Sequence, residues 1–122
     1  MTDAPARYAG VRAYEALLAE MAEQALAEML AAGQCRQTDD QLVADTAVLR
    51  ELPPAVRRRV LHRLALRSGC PANDLTAGHI AEIDRLIMQQ RSRGPIALPG
   101  RIHASRGYGR LAFAAAGDGS GE

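Results

Sequence analysis

The sequence predicts an α+β domain, mostly helical: about four helices followed by a small antiparallel β-sheet. Two observations predict it. Before residue 90, apolar residues recur at spacings of three and four in separate segments, the period of helices with one buried face. After residue 95 the period shortens toward two and Gly and Pro punctuate it every few positions, the pattern of short strands joined by tight turns. The chain has 122 residues, 3% aromatic residues and no Trp. Its core is therefore expected to be modest and built from Leu, Val, Ile, Met and Ala.

Residues 1–7 read as a loose, disordered leader. The first helix runs from Tyr8 to Leu30. Val11, Tyr14, Leu18, Met21 and Ala25 form its stripe, broadened by Leu26, Met29 and Leu30, and Gly33 is a plausible stop. The stripe packs on the rest of this domain, or on another domain or a second copy as a homodimer; periodicity does not choose between these. Gln34 to Gln41 is polar and turn-like. Leu42 to Ala44 is too short to assign and is open to an extended conformation. Asp45 or Thr46 can cap a short helical turn through Leu49 to Leu52. Pro53-Pro54 opens the next helix, where Pro suits the first turn. Val56, Val60, Leu61 and Leu64 form its apolar side. It ends by Ser68-Gly69, and Pro71 forbids continuation. Thr76 caps a further helix with Ile80, Ile83, Leu86 and Ile87 on its core face, ending between Arg91 and Gly94-Pro95. Three strands follow: Ile96 to Leu98, Ile102 to Arg106 and Arg110 to Phe113. Pro99-Gly100 and Gly107-Tyr108-Gly109 supply the turns. The domain is thus expected over residues 8–114, with 115–122 a flexible tail.

Net charge is only +1, but it is divided. Residues 1–52 hold four Arg and nine acids, a balance of −5; residues 53–122 hold eleven Arg and five acids, +6. All fifteen basic residues, His aside, are Arg. Arg57, Arg58, Arg59, Arg63 and Arg67 crowd one helix. Arg59 and Arg63 share a stripe, while Arg58 and His62 fall on the far, solvated face. Such a stripe can contact successive phosphates and release counterions. It can equally pair with the acidic first helix. A second basic group, Arg91, Arg93, Arg101, Arg106 and Arg110, surrounds the glycine turns. Tyr108 at a turn can stack on a base, or it can cover the small core.

No constellation for catalysis is visible. His62, His79 and His103 share no ligand spacing with Cys or carboxylate pairs, so no metal site is expected. His79, just after Thr76, suits a capping contact. Cys35 and Cys70 lie in no CxxC pattern and read as buried thiols. Residues 1–12 lack a signal-peptide core and no stretch is long enough to span a membrane. A cytoplasmic, non-membrane protein is expected.

Several runs resemble the C-terminal region of bacterial tRNA(Ile)-lysidine synthases over about Asp45 to Phe113. They are Asp45-Thr46-Ala47-Val48-Leu49, Leu52-Pro53-Pro54-Ala55-Val56-Arg57-Arg58-Arg59-Val60-Leu61, Leu75-Thr76 with His79-Ile80, Gly94-Pro95-Ile96-Ala97-Leu98-Pro99-Gly100, and Arg106-Gly107-Tyr108-Gly109-Arg110-Leu111. Arg101 stands where many relatives have a second glycine. The resemblance implies a substrate-binding domain of an ATP-dependent ligase that attaches lysine to the wobble cytidine of the CAU anticodon of a minor isoleucine tRNA. The family's Ser-Gly-Gly-x-Asp-Ser pyrophosphate loop is absent from this chain. ATP and lysine would therefore bind a separate N-terminal PP-loop catalytic domain, with no cofactor held here and tRNA as partner. Arg57, Arg59, Arg63, Arg101, Arg106, Tyr108 and Arg110 are the expected tRNA contacts, and no catalytic residue is expected. The alternative is a non-catalytic helical protein-interaction or dimerisation module.

Overall fold

Helix α1 (Asp3–Ala31) leads into a hairpin of β1 (Cys35–Gln37) and β2 (Gln41–Asp45). Three helices follow, α2 (Thr46–Glu51), α3 (Pro54–Ser68) and α4 (Ala77–Met88), with a 3-10 turn at Ala72–Asp74. Strands β3 (Ile96–Leu98), β4 (Ile102–Gly107) and β5 (Arg110–Ala115) end the fold. This computed structural model describes residues 3–89 and 92–116, with side chains from residue 10 onward. The expected mostly helical α+β class is what is found. Helix α1 begins at Asp3, inside the stretch expected as a leader; residues 1–2 and most of the expected tail, 117–122, lie outside the described residues.

The sheet is larger than the three expected strands. Its order is β1-β2-β5-β4-β3, antiparallel throughout. The polar segment read as turn-like supplies β1 and its hairpin. Thr38 Oγ1 accepts from the amides of Asp40 and Gln41 at 3.3 and 3.2 Å and shapes the turn. Only Cys35 of β1 is buried, so an edge strand here needs almost no apolar pattern. Strand β2 alternates as a half-buried strand should, with Leu42 and Ala44 inward, facing Phe113 and Leu111 of β5.

One face of the sheet packs on the helices. Leu42, Ala44, Ile102, Ala104, Leu111 and Phe113 meet Val60, Leu61 and Leu64 of α3 and Ile83 and Ile87 of α4 in one core. Helix α3 starts as expected with Pro54 in its first turn and ends at Gly69. Thr76 caps α4: its Oγ1 accepts from the His79 amide, and His79 Nδ1 accepts from the Thr76 amide at 3.0 Å. The expected capping contact is therefore reciprocal.

Helix α1 packs along α3 and reaches β1. Among its described side chains, burial begins at Leu18 and continues through Ala22, Leu26 and Met29. Val11 and Tyr14, expected in the core stripe, are each 58% exposed, and Met21 is exposed as well. Length explains it. At 1.5 Å per residue a 29-residue helix spans about 44 Å and a 15-residue helix about 22 Å, so α1 overruns the helix that supports it.

Candidate nucleic-acid interface

Helix α3 splits its arginines between interior and surface. Arg57 lies three, four and seven residues before Val60, Leu61 and Leu64, on the buried side. Its Nε donates to Asp84 Oδ1 at 2.5 Å, Nη2 to Oδ2 at 3.4 Å and Nη1 to the Leu52 carbonyl at 3.1 Å. The two side chains are 6% and 9% exposed. Arg57 therefore leaves the set of expected tRNA contacts: it neutralises a carboxylate inside the core and cannot reach a phosphate. Arg58, expected on the solvated face, does face outward and stands 3.5 Å from the same Asp84 Oδ2. One carboxylate thus serves two guanidiniums, and one positive charge stays uncompensated there.

Arg59 and Arg63 do share a stripe, and it runs beside α1. Arg59 donates to the Ala55 carbonyl at 3.1 Å and pairs with Glu15. Arg63 Nη2 lies 3.5 Å from Glu23. The pairing with an acidic first helix is thus present. Both glutamates are exposed to water. Pairs of this kind contribute about 0–1 kcal/mol, so a phosphate can exchange with either carboxylate at little cost. Arg67 follows one turn later and is exposed.

The remaining expected contacts divide between the two ends of β4. Pro99, Gly100 (φ 78°) and Arg101 (φ 60°) form the three-residue turn between Leu98 and Ile102, which pair across it. Gly100 takes its φ without the steric cost of a Cβ, whereas Arg101 holds a left-handed φ that side chains seldom adopt. The turn sits against Gly69 and Pro71, just beyond the end of α3. Arg101 is thereby near the C-terminal end of the Arg59–Arg63–Arg67 stripe.

At the other end, six residues or roughly 20 Å away, lie Arg106, Tyr108 and Arg110. Arg106 is half-buried: Nη2 donates to the Ser92 carbonyl at 2.9 Å, and Nε is buried with no partner among the described residues. Arg110 is exposed at the start of β5, beside Asp45 in register. Tyr108 (φ 54°) and Gly109 (φ 74°) form a two-residue type I′ turn between the paired Gly107 and Arg110. The Tyr108 side chain is fully exposed, so it does not cover the core. Its turn is held firmly, because the amide and Oγ1 of the buried Thr46 both donate to the Gly109 carbonyl at 3.0 Å. An αL tyrosine on an anchored tip, offered wholly to solvent, is suited to stack on another ring.

Residues expected to act together are therefore arranged as two groups. A track along α3 leads to Arg101, and a tip carries Tyr108 and Arg110. Arg58 and His62, on the solvated face of α3, fall outside the expected contacts. Both line a groove of about 410 Å³ between α3 and the start of α4.

The family model for the TilS substrate binding domain matches residues 45–112, more than half of the chain. The chain belongs to that family. Among similar proteins, the tRNA(Ile)-lysidine synthase of Streptomyces coelicolor is 54% identical over 67 residues, 55% of this chain and 19% of that protein. The tRNA(Ile)-lysidine synthase of Thermobifida fusca is 42% identical over 71 residues, 58% of this chain and 22% of its own length. The same enzyme from Geobacter sulfurreducens is 31% identical over 101 residues, 82% of this chain and 20% of its own. The chain thus spans about a fifth of the length of the curated relatives it matches.

The span matched as a TilS substrate binding domain holds both arginine groups, Tyr108 and the α3–α4 groove, whereas α1 and β1 lie outside it. Charge follows the same boundary. Residues 45–112 carry twelve Arg and five acids, +7, and the rest carries three Arg and nine acids, −6. Among the described residues no His/Cys/Asp/Glu cluster could hold a metal ion, and no helix is long and apolar enough to cross a membrane. Cys35 and Cys70 are buried free thiols. Burial pushes both above the usual thiol range, against the opposing pull of Arg67 on Cys35 and of a Ser68 hydrogen bond on Cys70.

Proposed function

We propose that this domain binds the tRNA substrate of a tRNA(Ile)-lysidine synthase in the cytoplasm and orients it for a PP-loop catalytic domain. That domain would bind ATP and lysine and join lysine to the wobble cytidine of the CAU anticodon of the minor isoleucine tRNA. In this reading the present chain supplies affinity and position, not chemistry. The observation that carries it is the coincidence of the +7 charge with the matched span. Exposed arginines at phosphate-reaching positions give salt-dependent affinity without reading sequence. Arg59, Arg63, Arg101, Arg106 and Arg110 are the proposed backbone contacts, with Tyr108 stacking on an accessible base.

Fluorescence anisotropy with the minor isoleucine tRNA and with the initiator methionine tRNA tests the reading. Tighter binding of the isoleucine tRNA, weakened by salt, places discrimination in this domain. Equal, salt-sensitive binding makes it a general tRNA clamp. No binding to either at low salt overturns the reading.

A second reading rests on the exposed Val11, Tyr14, Leu17 and Met21 of α1. Four large exposed apolar side chains on one helix suit a homodimer seam or the catalytic domain. Light scattering separates the two: a concentration-dependent dimer abolished by Leu17→Glu supports the homodimer, and a monomer at all concentrations removes it.

A further inference from the structure

The α3–α4 groove has a chemistry distinct from the arginine tracks. We propose that it takes one unpaired nucleotide of a bound RNA, its base on the apolar floor and its phosphate at the cationic rim. The proposal rests on the RNA-binding reading and deepens it, by adding a pocket for a splayed base to a surface for phosphates.

The floor is apolar: Leu75 and Ile80 are buried beneath it, and Ala77 and Ala81 border it. Arg58 and His62, one turn apart on α3, form the rim, with Arg59 beside them. No carboxylate lines the groove. Two carboxylates reach rim residues from outside it: Glu15 pairs with Arg59, and Asp84 has both oxygens taken by Arg57 at 2.5 and 3.4 Å. Arg58, 57% exposed and 3.5 Å from that shared carboxylate, keeps its charge for a ligand. His62 is half-buried and has no hydrogen-bond partner among the described residues.

Across the groove lies the first turn of α4. Its capping box satisfies the His79 amide through Thr76 Oγ1. The amides of Ala77 and Gly78 have no acceptor within their helix. They add to the cationic rim without being needed to define it. The volume of about 410 Å³ falls within the roughly 300–1,000 Å³ of small-molecule sites. A base stacked in a duplex cannot enter such a groove. A base in a loop, bulge or single-stranded end can, and unstacked bases are what proteins read in RNA. An acidic peptide would satisfy the rim and leave the floor without a planar apolar partner.

The experiment is an amide NMR titration of the whole chain with cytidine monophosphate and adenosine monophosphate. Inorganic phosphate, a tetraglutamate peptide and a blunt RNA duplex are titrated in parallel, and tRNA affinity is measured by anisotropy. Either nucleotide is expected to shift the amides of Arg58, His62, Ala77 and Ala81 and to leave the Tyr108–Gly109 tip unmoved. Ala81→Trp fills the floor without removing charge and should weaken nucleotide binding tenfold or more and tRNA binding several-fold. His62→Gln is the second variant, expected to weaken nucleotide binding should Ala81→Trp disturb the fold. Equal shifts from phosphate or tetraglutamate overturn the proposal, since the base then plays no part. So do nucleotide shifts confined to other regions, and so does an unchanged nucleotide affinity in a folded variant. If tRNA still binds in those cases, the groove assignment has failed and the RNA-binding reading stands. If the wild-type chain does not bind tRNA at all, the RNA-binding reading has failed.

Discussion

Asp84→Ala should be among the most damaging single substitutions in this domain. It leaves the Arg57 guanidinium in the core with only the Leu52 carbonyl as partner, at 3.1 Å. It also removes the carboxylate that separates Arg57 from Arg58 electrostatically. Breaking one side of a buried pair costs about 3–5 kcal/mol, because the partner remains buried and charged. Domain stabilities are about 5–15 kcal/mol, so the variant sits near the edge of folding. With an m-value of about 1–3 kcal/mol/M in urea, the midpoint should fall by about 1 M or more. Arg57→Met with Asp84→Leu removes both charges and fills the space with apolar atoms. It should lie within about 1 kcal/mol of the original protein, far above the sum of its single changes. Urea unfolding followed by circular dichroism on the original protein, Asp84→Ala, Arg57→Met, Asp84→Leu and the double variant decides it. A loss under about 1 kcal/mol for Asp84→Ala, or no recovery in the double variant, would refute the reasoning. The double variant carries a second check, since its salt dependence of RNA binding should match the original; a slope shallower by about one unit would mean that Arg57 touches a phosphate after all.

Arg59→Ala with Arg63→Ala should weaken RNA binding and reduce its log–log salt slope by about 1–2, with less than about 1 kcal/mol change in stability; an unchanged slope in a folded protein removes both from the contact set. Glu15→Gln with Glu23→Gln should act in the opposite direction, tightening binding at low salt, because two tethered anions no longer compete with phosphate for those arginines. Tyr108→Asn separates stability from binding: relief of the left-handed strain at φ 54° should raise stability by about 1 kcal/mol, while loss of the ring should lower RNA affinity. Falling stability, or unchanged affinity, would count against the reading of Tyr108 as a stacking residue. Gly100→Ala should destabilise the fold by more than about 1 kcal/mol, since its Cβ would lie 2.7 Å from Pro71 Cδ and 2.9 Å from the Gly69 carbonyl at φ 78°; a neutral midpoint in thermal unfolding would contradict it.

The helices were legible where their ends carry chemistry. Pro54 at the start of α3, Gly69 after its end and Thr76 before α4 mark boundaries that packing does not move. Strands β1 and β2 were not legible as a pair, because a three-residue edge strand with one buried side chain offers no period to detect. The stripe of α1 gave Leu18, Leu26 and Met29 of the buried face, but it missed Ala22, included the exposed Met21 and did not give the extent of the cover. Val11 and Tyr14 fit the period of Leu18, yet no element lies against them within the described residues. Arg57 shows what a stricter use of the same period would have found. It sits on the face of Leu61 and Leu64, and Asp84 sits between Ile80 and Ile87 on the face of α4, so two opposite charges on two apolar stripes already implied a buried pair. Which arginines stay on the surface followed from helical phase. Which of those are neutralised by α1 depended on how two helices lie together, and sequence spacing carries no information about that.

The pairing of β2 with β5 bears on how the protein is made. Ala44 and Leu111 are neighbours in space, yet they leave the ribosome at different times. At about 5–20 residues per second, roughly 3–13 s of synthesis separate them. During that interval β2 has its β1 partner on one side and an open edge on the other, with Leu42 uncovered. Open edges recruit strands from other chains. Asp39 and Asp40 precede this strand and Asp45 ends it, and their charges oppose the approach of a second nascent copy. Carboxylates with no part in holding RNA thus acquire a use, as guards of a half-built sheet until residues 110–115 arrive to close it.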